Sequence, residues 1–125
     1  MLLDALYNSL LVVTITHVRS QRSKEIARAC KVLSVETRIR IIELLRRRPL
    51  CVNALTAHLG ITQGAVSQHL RVMRDAGLVI DDREGYHVHY RLDTEQLARW
   101  LSLIDELLDA ETAPDVPEER MRENL

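Results

Sequence analysis

Five polar side chains recur at helical intervals in the middle of the chain: Gln63, Ser67, Gln68, Arg71 and Arg74. They supply donors, acceptors and cations, and none is a carboxylate. Between them, Ala65, Val66, Leu70 and Met73 form the complementary apolar stripe, so the polar set is left facing out of a helix. A face of this kind has the chemistry to read nucleic acid. Glutamine pairs with adenine and arginine with guanine, Ser67 and His69 reach several base edges, and the free amides at the Thr62 end hold a phosphate. His69 has a second reading, as a residue partly packed beneath the helix.

Two smaller sets also carry chemistry. Cys30 and Cys51 are the only thiols. Cys51 falls at a predicted helix start, where the dipole and neighbouring arginines favour a reactive thiolate. Its other reading is a small residue in a cap position, with Cys30 filling core. His87 and His89 share one face of a predicted strand, but two imidazoles without a third ligand read as a polar strand face. No phosphate-binding Gly-rich loop, paired acid and base, or complete metal-ligand set is visible, which argues against an enzyme.

The elements that position these residues follow from punctuation and periodicity. Residues 2–13 place Leu3, Leu6, Tyr7 and Leu10 at helical spacing, whereas residues 12–16 favour strand. Residues 1–22 are thus an extension: an added interface helix, a loosely attached segment, or residues ahead of the true start. Ser23 is expected to cap a helix through Leu33 with Ile26, Cys30 and Leu33 inward, and Ser34 to cap a second one over residues 37–47, ended by Pro49. Residues 50–59 then form a short helix, closed by Gly60, and Thr62 caps the polar-faced helix, which ends at Gly77. Three connecting residues suit two helices meeting at a steep angle, a helix-turn-helix. Residues 78–80, a turn at residues 82–85 and an alternating run over residues 86–92 make a hairpin, with Val88, Tyr90 and Leu92 on one face. Asp93 and Gln96 begin a last helix whose stripe of Leu97, Trp100, Leu101, Ile104, Leu107 and Leu108 is expected to pair with a second subunit. Residues 111–125 hold two prolines and many charges, the composition of a disordered acidic tail.

With 125 residues the chain holds one core, and with no Phe that core must be aliphatic. The net charge of −1 hides two opposed halves. Residues 18–48 carry ten cations against three carboxylates, a net of +7, while residues 93–125 carry ten carboxylates against three cations, a net of −7. One surface can be cationic while the whole is neutral. The apolar opening lacks a basic start and a cleavage site and is too polar to span a bilayer, so a cytoplasmic protein with reduced thiols and no membrane partner is expected.

The order of elements and the residues together resemble the ArsR/SmtB family of bacterial winged-helix repressors. The resemblance lies in LSVETRIRIIELL at residues 33–45, PLCVNALTAHLGITQGAVSQHLRVMRDAGLV at residues 49–79 and REGYHVHYRLD at residues 83–93, and spans roughly residues 24–108. It implies a mainly α fold with a small β-hairpin, a winged helix-turn-helix over residues 23–110, dimeric through its first and last helices. The interface would include Ile26, Cys30, Leu97, Trp100, Leu101, Ile104, Leu107 and Leu108. Double-stranded DNA carrying an inverted repeat would be the partner, with contacts from Thr62, Gln63, Ser67, Gln68, His69, Arg71 and Arg74, and from Arg83 and His87 on the wing. Members of the family commonly release DNA when a metal or metalloid binds, and arsenic or cadmium sensors often carry Cys-Val-Cys at the first motif helix. Here the matching residues are Cys51-Val52-Asn53, so arsenite or cadmium at Cys51 would need Cys30 or another thiol. The alternative zinc site on the last helix is not expected, because Gln96 and Leu107 stand where imidazoles belong. A regulator without an inducer, or a protein-interaction module on the same fold, are the other readings.

Overall fold

The first helix is also the longest. In the computed structural model, which describes residues 2–109, α1 runs unbroken over Leu2–Leu33. Its 32 residues span about 48 Å at the α-helical rise. The expected break at Ser23 does not occur, and Ser23 lies mid-helix rather than at a cap. Nothing in the segment forces an end, since it holds neither Gly nor Pro. The strand-favouring stretch is absorbed: Thr14 and Thr16 donate their hydroxyls back to the carbonyls of Leu10 and Val12, at 2.9 and 2.8 Å.

The remaining elements are α2 (Glu36–Leu45), α3 (Val52–Leu59), α4 (Gln63–Asp75), β1 (Val79–Glu84), β2 (His87–Leu92) and α5 (Thr94–Asp105), the last finishing in a 3₁₀ turn over Glu106–Leu108. The cap of α2 is Val35, whose side chain makes no capping bond. Ser34 instead donates to the Lys31 carbonyl, so its predicted capping role is not met. Cys51 caps α3 through its backbone alone, Thr62 caps α4 by accepting from the Ala65 amide at 3.2 Å, and Asp93 caps α5 by accepting from the Gln96 amide at 3.1 Å. At the far end of α4, the Gly77 amide bonds the Arg74 carbonyl and the Leu78 amide bonds the Met73 carbonyl, both at 2.9 Å. This six-residue closure needs a left-handed residue, and Gly77 has φ of 76°.

The core is mostly aliphatic, as the composition requires, but its largest fully buried side chain is Trp100. Ala29 and Val32 of α1, Ile41 and Leu45 of α2, Leu55 of α3, and Val66, Leu70 and Met73 of α4 close around it with Leu78 and Val79. Three expectations are corrected here. Trp100 is spent inside its own protomer and is not available to a partner. Ile26 is likewise covered at 9% exposure, whereas Cys30, expected to be buried, is exposed. The cause is the turn of the helix: Ala29 and Val32 take the inner face of α1, and Cys30, one residue on from Ala29, points away. On α5, Leu101, Leu107 and Leu108 are exposed and Leu97 and Ile104 half-buried, so one apolar flank of that helix remains open.

The hairpin pairs Val79 with Leu92 through Glu84 with His87. Its turn is Gly85-Tyr86, two residues shorter in reach than the sequence suggested, and Tyr86 is a fully exposed tip residue rather than the start of a strand. Gly85 has φ of 62° and among the described residues no non-glycine has positive φ, Tyr86 included, the pattern of a type II′ turn whose twist matches the strands. A further bridge joins Leu50 to Tyr90, with amide-to-carbonyl bonds of 3.0 and 2.8 Å, and so ties the start of α3 to the wing. No described helix is long and apolar enough to cross a membrane. The tail expected at residues 111–125 lies outside the described residues.

Candidate nucleic-acid interface

The outward face of α4 is built by what lies beneath it. Val66 and Met73 are fully buried and Leu70 nearly so, which fixes the helix in rotation and leaves Gln63, Ser67, Gln68, Arg71 and Arg74 exposed. Thr62 fixes the helix start, and its hydroxyl is already engaged with the Ala65 amide. Gln63 donates its side-chain amide to Asn53 Oδ1 on α3, so the first turn of α4 is cross-linked to the preceding helix.

His69 is half-buried and turned toward α2. Its Nδ1 accepts from Arg38 Nε at 3.4 Å, which leaves the proton on Nε2. Burial, and then the Arg38 charge, hold its pKa below the ordinary imidazole value, favouring the neutral ring. The same Arg38 donates through Nη1 to the Lys31 and Val32 carbonyls at 3.3 Å, closing the carbonyl end of α1. One guanidinium thus links the end of α1, the start of α2 and the middle of α4.

Arg71 is exposed and engaged by no described side chain or carbonyl. Arg74 lies 3.8 Å from an Asp81 carboxyl oxygen and 4.0 Å from one of Asp75, too far for hydrogen bonds but close enough to offset part of its charge. Ser67, Leu70, Arg71, Arg74 and Tyr90 line a notch of about 150 Å³ where α4 meets the wing. The sequence places Tyr90 only on one strand face with Val88 and Leu92; its place beside two arginines depends on the Leu50 bridge, a long-range pairing that leaves no local signal. On the wing, Arg83 and His87 are exposed near the turn, and Arg91 is paired with Asp82 at 2.9 Å.

The cationic half of the chain is less available than its net charge implies. Arg22 pairs with Glu106 at 2.8 Å, and Arg28 donates to the Asp75 carbonyl at 2.7 Å, satisfying the carbonyl end of α4. With Arg38 they are spent on helix ends and helix pairs.

The two thiols are free. Cys51 is half-exposed at the start of α3 and Cys30 exposed on α1. Among the described residues no three His, Cys, Asp or Glu side chains are grouped to hold an ion, and His87 and His89 gain no third ligand. Within one chain this donor set does not fit arsenite, which takes three thiolates, or four-coordinate zinc.

Comparison with known proteins agrees with this architecture. Residues 36–81 match the model of the bacterial regulatory protein arsR family. The chain is 37% identical over 89 residues to the HTH-type transcriptional regulator NmtR of Mycobacterium tuberculosis, covering 71% of this chain and 72% of that one. It is 40% identical over 77 residues to the arsenical resistance operon repressor of Escherichia coli, covering 61% of this chain and 66% of that one. A solved homodimeric winged helix-turn-helix DNA-binding domain from Mycobacterium bovis superposes with a TM-score of 0.60 at 27% identity, over 76% of this chain and 88% of its own. The helix-turn-helix of α3 and α4, the wing that follows it and these relatives converge on one conclusion: the chain belongs to the arsR family of DNA-binding transcriptional regulators.

Proposed function

We propose that the protein is a homodimeric repressor that binds an inverted-repeat operator through α4 of each protomer. The observation that carries the proposal is the exposed polar face of α4, where Gln63, Ser67, Gln68, Arg71 and Arg74 meet a single carboxylate, Asp75 at the carboxyl end, and which is held in rotation by Val66, Leu70 and Met73 and flanked by the wing. Residues 23–110 form the DNA-binding and dimerisation unit, with residues 1–22 as an added segment and residues 111–125 as an acidic tail. Two recognition helices related by a two-fold axis match half-sites one helical turn apart, about 34 Å. Gln63, Ser67, Gln68 and Arg71 face the major groove, with Arg74 beside them and His69 presenting only its Nε2 edge. Thr62 sets the helix start against a phosphate, and Arg83 and His87 reach the backbone or the minor groove from the wing. The dimer forms through the open flank of α5, where Leu97, Leu101, Ile104, Leu107 and Leu108 lie, together with Cys30 and its neighbours on α1.

The signal is assigned to Cys51. It stands between Leu50, which is bonded to the wing, and Asn53, which receives the Gln63 amide. A change at its sulfur is therefore transmitted to both DNA-facing elements. Because a single thiol cannot complete a metalloid site within one chain, oxidation is the signal that needs no second donor; arsenite or cadmium would require the Cys30 sulfur of either subunit. Any such signal acts by its unequal affinity for two states, with a coupling of about 1–3 kcal/mol.

The test is a titration of labelled DNA from upstream of the protein's own coding sequence, with arsenite, cadmium, zinc and peroxide added in turn. Competition by unrelated polyanions and a steep salt dependence support DNA as the partner, and indifference to both points to a protein-interaction module. Cys51→Ser should bind DNA as tightly as the parent and no longer respond to the effective signal. Release that persists unchanged in Cys51→Ser removes Cys51 from the account.

A further inference from the structure

The amino-terminal half of α1 is an apolar helix that the other described residues leave uncovered. Ten large apolar side chains within residues 2–18, from Leu2 to Val18, are 41–84% exposed. At the end of α5, Glu106 pairs with Arg22 of α1. Ahead of that point α1 continues for some five turns with its large apolar side chains exposed among the described residues. A surface of this size is not left to water on a soluble chain.

Its pattern is organised. Leu3, Leu6, Leu10, Val13 and His17 alternate at intervals of three and four, the seam of a two-helix coil. Tyr7, Leu11, Ile15 and Val18 form a second line, which runs on into Arg22, Glu25, Ala29 and Val32, the side of α1 that packs on its own domain. One line therefore continues the intramolecular packing face, and the other is free along its whole length.

We infer that the free seam pairs with the same seam of a second copy, so that residues 2–18 form a helical extension of the dimer. This rests on the dimeric reading above and adds to it a contact that lies ahead of residues 36–81, the part matched by the family model. Charge selects the occupant. Asp4 is the only charged residue in the segment apart from His17, and the first cation is Arg19. Two copies can meet without repulsion, while the Lys and Arg that bring an amphipathic helix to an anionic membrane surface are missing. The chain's own residues 110–125 make a poor cover, with five carboxylates, two prolines and few large apolar side chains.

Position supports the same occupant. The exposed Leu101, Leu107 and Leu108 of α5 lead up to the level of Arg22, and the apolar half of α1 takes over from there. The surface proposed for the domain dimer and the seam are thus continuous. Two heptads are too short to hold a pair of helices alone. Joined to a dimer that already brings the helices together, the second contact forms at an effective concentration in the millimolar range.

The test compares the full chain with Leu3→Ser/Leu6→Ser/Leu10→Ser, whose changes fall on exposed positions and leave the domain core intact. Dimer dissociation is measured by sedimentation equilibrium. The triple variant is expected to dissociate about 100-fold more readily or worse, with an unchanged unfolding transition for the domain. In a background of Cys30→Ser and Cys51→Ser, Leu10→Cys should oxidise to a covalent dimer, and Asn8→Cys, which points off the seam, should not. An unchanged dimer constant in the triple variant overturns this inference alone and leaves the domain dimer standing. A full chain that is monomeric overturns both. Flotation of the full chain with phosphatidylglycerol vesicles, abolished in the triple variant, assigns the seam to lipid instead, and a dimer strengthened by deleting residues 110–125 assigns it to the tail.

Discussion

Arg71→Gln removes one cation from the outer face of α4 and disturbs nothing inside the protomer. The side chain is exposed and no described group engages it, so the stability of the folded chain should change by no more than about 0.5 kcal/mol. The effect on DNA is different in size and kind. A dimer carries two copies, and each phosphate contact accounts for about 0.9 in the slope of log affinity against log salt concentration, so the slope should flatten by about 1.8. A hydrogen bond to a charged group contributes about 1.5–3 kcal/mol. Losing one in each half-site should weaken binding by at least 100-fold at constant salt. Fluorescence anisotropy of labelled upstream DNA, titrated at several salt concentrations between about 50 and 200 mM, reads both quantities. Reduced affinity with an unchanged slope would mean that Arg71 reads a base edge. Parental affinity and slope together would refute the placement of this face on DNA. Arg74→Gln is the internal comparison, since Asp81 and Asp75 already offset part of its charge and its slope change should be smaller.

Other consequences can be checked on the protein alone. Gly77→Ala forces a side chain into the left-handed conformation that closes α4 and should cost about 1–2 kcal/mol in thermal unfolding, whereas Gly64→Ala, which meets open space at an ordinary helical φ, should be neutral or stabilising. Arg38→Gln should raise the pKa of His69, read from its imidazole proton shifts, because it removes a positive neighbour; an unmoved titration would leave burial as the sole cause. Since the folded-state pKa of His69 lies below the unfolded one, its contribution to stability is present above the unfolded value and lost as pH falls through the folded value, and Arg38→Gln should shrink that acid-side loss. Trp100 is 1% exposed within one protomer, so its fluorescence should stay that of a buried indole when the dimer is diluted apart; a red shift on dilution would return Trp100 to the subunit interface.

Local signals in the sequence proved sufficient wherever a single residue decides the local backbone. Thr62, Gly60, Gly77 and Asp93 each mark a helix end by a hydroxyl, a carboxylate or a permissive φ, and each stands where such an end is observed. The stripe through Val66, Leu70 and Met73 likewise told which face of α4 is free. What escaped depends on tertiary contact. Ser23 has the chemistry of a cap but sits in a segment with no reason to stop, so the helix runs through it. Trp100 and Leu101 belong to one stripe by spacing, and only the packing of α1 and α4 decides that the first is inward and the second outward. Arg28 and Arg38 count as surface charge in a composition, yet Arg28 closes the carbonyl end of α4, far along the chain, and Arg38 joins the end of α1 to His69 in the middle of α4. Tyr90 reaches the notch beside Arg71 through a bridge to Leu50, forty residues earlier, which no local pattern encodes.

The most direct test of the central claim is a hydroxyl-radical footprint of the full chain on the DNA upstream of its coding sequence. An operator-binding dimer predicts two protected half-sites, related as an inverted repeat and centred about 34 Å apart on one face of the duplex. A single protected site, or uniform weak protection indifferent to sequence, would contradict it.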